Sequence, residues 1–265
     1  MEILGYLAAV LMGMTLGMIG GGGSILTVPL LVYLFSVEPV KATAYSLFIV
    51  GLTALVGGFR SHLKNDVDFK TGLIFAVPSF VGVYVTRAYI VPSLPDVVWQ
   101  TDSFILTKPL LMMLTFAVLM ILASVSMIRS QKEISAATKA SLSPVLKFII
   151  IGTEGLIVGG ITGFVGAGGG FLIIPALVIL VGLPMKKAVG TSLFIIAIKS
   201  LFGFIGDLQG SLIIEWSLLI TISLMSFIGL ALGMWLVQFV PEKTLKKGFG
   251  YFVMFMGTLI LWDQF

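Results

Sequence analysis

Apolar runs alternate with short polar breaks along the whole chain. Ten candidate segments stand out: Ile3–Ile19, Ser24–Phe35, Ala42–Phe59, Gly72–Ile90 and Phe104–Ile128, then Val145–Val165, Gly170–Val181, Ala188–Ile205, Trp216–Val240 and Phe249–Trp262. A helix needs roughly 20 apolar residues to cross the hydrocarbon core. The second and seventh segments are too short for that, so they are expected to break or re-enter. Between the groups of five lies the polar stretch RSQKEISAATKASLSP, from Arg129 to Pro144.

Shifting the chain by 146 positions lays GMIGGGGSILTVPLLVYL on GFVGAGGGFLIIPALVIL without a gap, and KATAYSLFI on KAVGTSLFI. From Gly13 to Gly57, 18 of 45 aligned positions are identical. Shared apolar residues are weak evidence, but the coincident Gly, Pro and Lys positions are not, and they indicate an internal duplication. The fold class expected is an all-α polytopic membrane protein made of two inverted repeats of about five hydrophobic segments each, with broken or re-entrant helices at the glycine-rich motifs. The repeats are placed at residues 1–128 and 145–265, with a cytoplasmic linker at 129–144.

Charge gives the direction. Lys and Arg collect in cytoplasmic loops. Arg60, Lys64 and Lys70 follow the third segment, whereas the equivalent loop from Asp207 to Glu215 has no Lys or Arg. The loop Val91–Asp102 has none, while its equivalent carries Lys243, Lys246 and Lys247. The asymmetry reverses between halves, as an odd number of segments per half requires. Both termini are then expected outside a prokaryotic-type plasma membrane; Lys41, on the outer side, dissents.

Composition narrows the classes. The 265 residues are 58% hydrophobic and 11% charged, with a net charge of +4. Soluble domains carry about 25% charged residues, so a soluble globule is excluded, and the modest positive balance fits cytoplasmic loops better than nucleic-acid binding. Cysteine is absent, which removes disulfides, thiolate metal sites and cysteine nucleophiles. The N-terminus lacks the basic start and cleavage site of a removed signal peptide. There is no H-E-x-x-H, G-x-S-x-G or carboxylate pair within one segment, and no G-K-[ST] after the glycines. An enzyme is not expected, nor a cofactor or a metal.

Both halves carry G-x-x-G-x-G-G-[GS]-x-x-x-x-P-x-L: Gly17, Gly20, Gly22, Gly23, Ser24, Pro29 and Leu31, then Gly163, Gly166, Gly168, Gly169, Gly170, Pro175 and Leu177. The glycines are expected to end one helix and to precede a short one, whose free N–H groups and dipole favour an anion. The competing reading is close helix packing, which Gly13/Gly17 and Gly159/Gly163 fit. Candidate substrate-binding residues are Gly20, Gly21, Gly22, Gly23, Ser24, Tyr45, Ser46, Gly166, Gly168, Gly169, Gly170, Thr191, Ser192 and Lys199. Lys199 lies mid-segment, where a charge is costly, and would balance an anion or pair with Glu154. Glu154 is the proton-coupling candidate. Arg87 and Lys108, near segment ends, are expected to snorkel, His62 to be a solvated loop residue, and Asp207 to be a helix-end partner.

Those two motifs, GMIGGGGSILTVPLL with KATAYSLF and GITGFVGAGGGFLIIPAL with KKAVGTSLF, resemble the TauE/SafE transporters, the sulfite exporter or 4-toluene sulfonate uptake permease (TSUP) family, over nearly the whole chain. The first copy departs slightly, with Ser24 opposite Gly170 and Ala44-Tyr45-Ser46 opposite Gly190-Thr191-Ser192. The resemblance implies transport of sulfur-containing anions such as sulfite, sulfonates or sulfoacetate. The function expected is an alternating-access secondary transporter of small anions driven by an ion gradient, with protons as the coupling ion; the alternative is an anion channel without obligatory coupling. The partners expected are a small anionic substrate and the lipid bilayer, with a homodimer as a further candidate and no nucleic acid.

Overall fold

A computed structural model describes residues 2–101, 104–129, 144–209 and 214–264. The predicted linker falls almost wholly outside the described residues, as do positions 210–213 of the loop after Asp207.

The long apolar runs are helices: α1 (Glu2–Ile19), α3 (Pro39–Leu63), α4 (Phe69–Val85), α6 (Lys108–Ile128), α7 (Pro144–Val165), α9 (Met185–Leu208), α10 (Trp216–Leu236) and α11 (Glu242–Asp263). Among the described residues, seven stretches are long and apolar enough to cross a membrane. The chain is an all-α polytopic membrane protein. α11 falls short because Lys246 and Lys247 dilute its apolar run.

Helix starts follow local chemistry. Pro39 opens α3 behind Glu38, whose carboxylate accepts from the Val40 N–H at 3.4 Å. Asp68 caps α4 by accepting from the Thr71 N–H at 3.0 Å. Thr107 caps α6 by accepting from the Leu110 N–H at 3.4 Å. Each cap supplies an acceptor to an otherwise orphaned amide.

The short segments depart from simple helix. After α1 the chain winds as a tight 3₁₀ stretch over Gly20–Leu26, one turn of α-helix, α2 (Thr27–Pro29), and a π turn over Leu30–Leu34. In the second half, α8 (Gly170–Ala176) runs into a π turn over Leu177–Val181. Those twelve residues rise only about 18 Å as a helix, well short of a bilayer core. The fifth segment starts later than its hydrophobicity predicts. A π turn over Thr86–Ile90 and α5 (Val91–Ser93) extend α4, and Val97–Thr101 then pairs antiparallel with Phe104–Thr107 as a two-stranded hairpin before α6 begins.

Packing pairs the helices across the chain: α1 with α10, α7 with α4, α3 with α9, and α6 with α11. The 146-residue shift carries α1 onto α7, and α10 matches α4 at a shift of 147. The crossings correspond in detail. A Cβ on Gly13 would lie 2.8 Å from Ser226 Cα, and one on Gly159 2.8 Å from Ser79 Cα. A Cβ on Gly229 would lie 2.8 Å from Met14 N, and one on Gly82 2.8 Å from Gly160 N. Glycine lets these backbones touch, which is how membrane helices gain packing without a hydrophobic drive. The packing role expected for Gly13 and Gly159 is therefore the one they have. Gly17 shares it, since its Cβ would sit 2.5 Å from Leu230 O.

Candidate functional site

The two glycine-rich motifs meet. A Cβ on Gly21 would overlap Gly170 Cα, and one on Gly170 would overlap Gly21 Cα. The two glycine runs, aligned by the 146-residue shift, are thus in mutual backbone contact, each excluding side chains from the other.

Their conformations differ. In the second motif Gly166, Gly168 and Gly169 have φ of +77°, +63° and +72°, so the chain turns through left-handed backbone before α8 starts. L-residues other than glycine pay for that conformation. In the first motif only Gly20 does this, at +71°. Gly22 and Gly23 continue in the 3₁₀ stretch, so the first motif tightens the helix where the second interrupts it.

Side chains from the first half hold the second loop. Ser24 Oγ donates to Ala167 O in a short bond, with Gly21 O, 2.6 Å away, as the alternative acceptor for the same proton. Ser46 Oγ, from α3, donates to Gly166 O at 2.6 Å. Both serines are fully buried. Ser192 Oγ donates to Val189 O at 2.8 Å within α9 and lies beside Gly20, whose Cβ would be 3.4 Å from it. Ser24 and Ser46 thus supply donors to carbonyls of the left-handed loop at Gly166 and Ala167.

Lys199 enters the same junction from α9 and is fully buried. Its Nζ donates to Thr162 Oγ1 at 2.5 Å, and a Cβ on Gly169 would be 2.9 Å from Nζ. The pairing with Glu154 considered from the sequence is not formed. Among the described residues the only ion pair is Arg87–Asp207. Glu154 is half-buried on α7. It lies eight residues, or about 12 Å of helix, before Thr162.

The remaining candidates lie away from this junction. Gly23 packs on the α1 backbone at Leu16, and a Cβ on Gly22 would meet Ile19 Cγ2 at 3.0 Å. Tyr45 is buried, and its OH accepts from the Glu215 N–H at 2.9 Å, ahead of α10. Thr191 Oγ1 accepts from the Asp68 N–H at 2.9 Å and so ties α9 to the start of α4. The structure therefore gathers Gly20, Gly21, Ser24, Ser46, Gly166, Gly168, Gly169, Gly170, Ser192 and Lys199, and leaves Gly22, Gly23, Tyr45, Thr191 and Glu154 outside.

Sequence reasoning missed Thr162, and it placed Arg87 at an interface. Arg87 does not snorkel: it is 1% exposed and pairs with Asp207, Nη1 to Oδ1 at 3.4 Å. Asp207 is a helix-end partner, as expected, and its partner is this arginine. The available signal was the difference between halves. Lys199 stands opposite Thr53, Thr162 opposite Leu16, and Asp207 opposite Ser61.

Comparison with known proteins places the chain. The model of the sulfite exporter TauE/SafE family matches residues 5–260. A probable membrane transporter protein of Xylella fastidiosa is 28% identical over 259 residues, covering 95% of this chain and 92% of that one. One from Haemophilus influenzae is 28% identical over 269 residues, covering 95% and 94%. The probable membrane transporter protein YdhB of Bacillus subtilis is 27% identical over 257 residues, covering 95% and 96%. No solved structure matches the chain. A match to nearly the whole length, on a scaffold of seven spanning stretches, makes this chain a member of the sulfite exporter TauE/SafE family of membrane transporters.

Proposed function

We propose that the protein is a secondary active transporter of small sulfur-containing anions, sulfonate, sulfoacetate or sulfite-like, working by alternating access around the junction of the two glycine-rich motifs. Lys199 carries this reading. It is a fully buried amine at that junction, hydrogen-bonded to a neutral hydroxyl and paired with no carboxylate among the described residues. A buried charge without a counter-charge is expensive, and an anionic substrate beside it removes that cost. Gly169, in left-handed backbone and without a side chain of its own, lets the loop come close to Nζ: a Cβ there would lie 2.9 Å from it.

Alternating access draws support from the exchanged helix pairs. If the halves are inverted copies, α1·α10 and α7·α4 are one interface used twice, and a small tilt at the glycine crossings converts one opening into the other. In this reading both termini lie outside the plasma membrane, and protons drive transport through Glu154, the half-buried carboxylate on α7. No cofactor takes part.

Uptake by purified protein in proteoliposomes tests the proposal, with sulfite, sulfoacetate, taurine and carboxylate analogues offered with and without a pH gradient. Saturable uptake of a sulfur anion, accelerated by the gradient and abolished in Lys199→Gln, is expected. Uptake indifferent to the gradient and without accumulation would mark a channel. Transport of a cation alone, or Lys199→Gln behaving as wild type, would overturn the anion site.

A further inference from the structure

The Arg87–Asp207 pair is built like a binding site left half-used. Arg87 lies in the π turn that extends α4, and π turns within helices recur at functional positions. Asp207 lies in the last turn of α9. Gly203 and Gly206 of α9 allow the approach: a Cβ on Gly206 would be 3.1 Å from Arg87 Cβ. Val83 and Phe204, one turn before Arg87 and Asp207 on their helices, belong with Leu47 to a buried apolar cluster. Among the described residues, only Nη1 of the arginine has a partner. Nε and Nη2, both buried, have none, and neither does Oδ2 of Asp207.

Geometry makes the free pair of nitrogens specific. The Nε–H and Nη2–H bonds leave one edge of the planar guanidinium in parallel, and that edge takes two oxygens of a carboxylate, sulfonate or phosphate at once. Two charge-assisted donors buried without acceptors represent a loss that a structural ion pair would normally avoid. Asp207 meanwhile holds Nη1 at 3.4 Å, longer than the 2.7–2.9 Å usual for such a bond. It balances the charge without occupying the fork.

We propose that Arg87 is an oxyanion-binding residue, a second station for a small sulfonate-type anion separate from the Lys199 junction, and that Asp207 is the internal competitor which neutralises it when empty. Lys199 and Asp207 are eight residues apart on α9, about 12 Å along its axis, so one helix carries both stations. Binding at the fork does not depend on which anion the protein moves or in which direction.

The experiment measures binding of methanesulfonate, with chloride as the spherical control, to purified protein. Trp216 is the reporter, because its ring meets Phe204 edge-on at 6.2 Å, one turn before Asp207; the signal is the part lost in Trp216→Phe. Asp207→Asn removes the competitor and is expected to tighten methanesulfonate binding at least about tenfold. Arg87→Lys keeps the charge, loses the fork, and is expected to weaken methanesulfonate about tenfold while chloride changes little. Lys199→Gln leaves the Trp216 signal in place. If Asp207→Asn unfolds without ligand, methanesulfonate restoring a monodisperse protein supports the site, and failure to restore it overturns the proposal. Unchanged affinity in Asp207→Asn, or wild-type affinity in Arg87→Lys, also overturns it. Failure of the transport reading is seen separately, as absent uptake in proteoliposomes while binding at Arg87 persists.

Discussion

Adjacent glycines of the first motif are predicted to respond in opposite ways to alanine. Gly21 and Gly22 both have backbone angles open to L-residues. At Gly22 the added methyl meets one side-chain atom, Ile19 Cγ2 at 3.0 Å, with the next neighbour at 3.8 Å. A small shift of Ile19 accommodates it, and alanine restricts the unfolded chain, worth about 0.4–1 kcal/mol. At Gly21 the methyl overlaps Gly170 Cα and Ile196 Cδ1. Backbone cannot rotate away, so the two motifs must separate, at an overpacking cost of about 1–3 kcal/mol. The two variants should therefore differ by about 1.5–4 kcal/mol. Gly170→Ala presses on the same contact from the other side and should resemble Gly21→Ala. Once one variant has parted the loops the second costs less, so the double variant should be less unstable than the sum. Denaturation of purified protein, followed by tryptophan fluorescence, gives the order of stabilities. Equal stability of Gly21→Ala and Gly22→Ala, or strict additivity of Gly21→Ala with Gly170→Ala, would refute the contact between motifs as the reason for these glycines.

Other consequences are direct. Ser46→Ala strands Gly166 O in a buried position and should cost about 1–3 kcal/mol, whereas Thr153→Ala, whose hydroxyl bonds its own exposed helix turn, should change stability little; the same denaturation assay compares them. Glu154→Gln should retain exchange of labelled for unlabelled substrate across vesicles but lose accumulation driven by a pH gradient; accumulation at the wild-type level would remove Glu154 from coupling. The absence of native cysteine makes orientation measurable, because Lys64→Cys and Ser93→Cys introduce the sole thiols at opposite ends of the α4 unit. An impermeant maleimide added to intact cells should label Ser93→Cys and not Lys64→Cys, and the reverse would invert the assigned topology.

Much of the site was legible because it consists of backbone. Glycine at a left-handed position, or at a backbone crossing, is a local demand, and the duplicated run displayed it twice. Ser24, Ser46 and Lys199 stood out for a similar reason, as polar groups in apolar surroundings whose cost calls for a partner. Thr191 and Tyr45 shared that signal, yet their bonds go to Asp68 and Glu215, away from the junction. A hydroxyl's surroundings depend on which distant segment arrives beside it, and no spacing rule states that. The hairpin at Val97–Thr107 escaped because an apolar tetrapeptide fits a strand or the first turn of a helix equally well.

By itself the sequence determined that this chain lives in a membrane, and that two similar glycine-rich runs, 146 positions apart, disturb its helices. Length, hydropathy and backbone freedom are additive along a chain and can be read from it. Only the tertiary structure decided that the two glycine runs touch, that Lys199 reaches Thr162 rather than Glu154, and that Arg87 turns inward to Asp207. Those are pairings across 37 to 149 residues. In a bilayer a charged side chain can lower its energy either by reaching an interface or by finding a partner, and which is nearer is settled by packing.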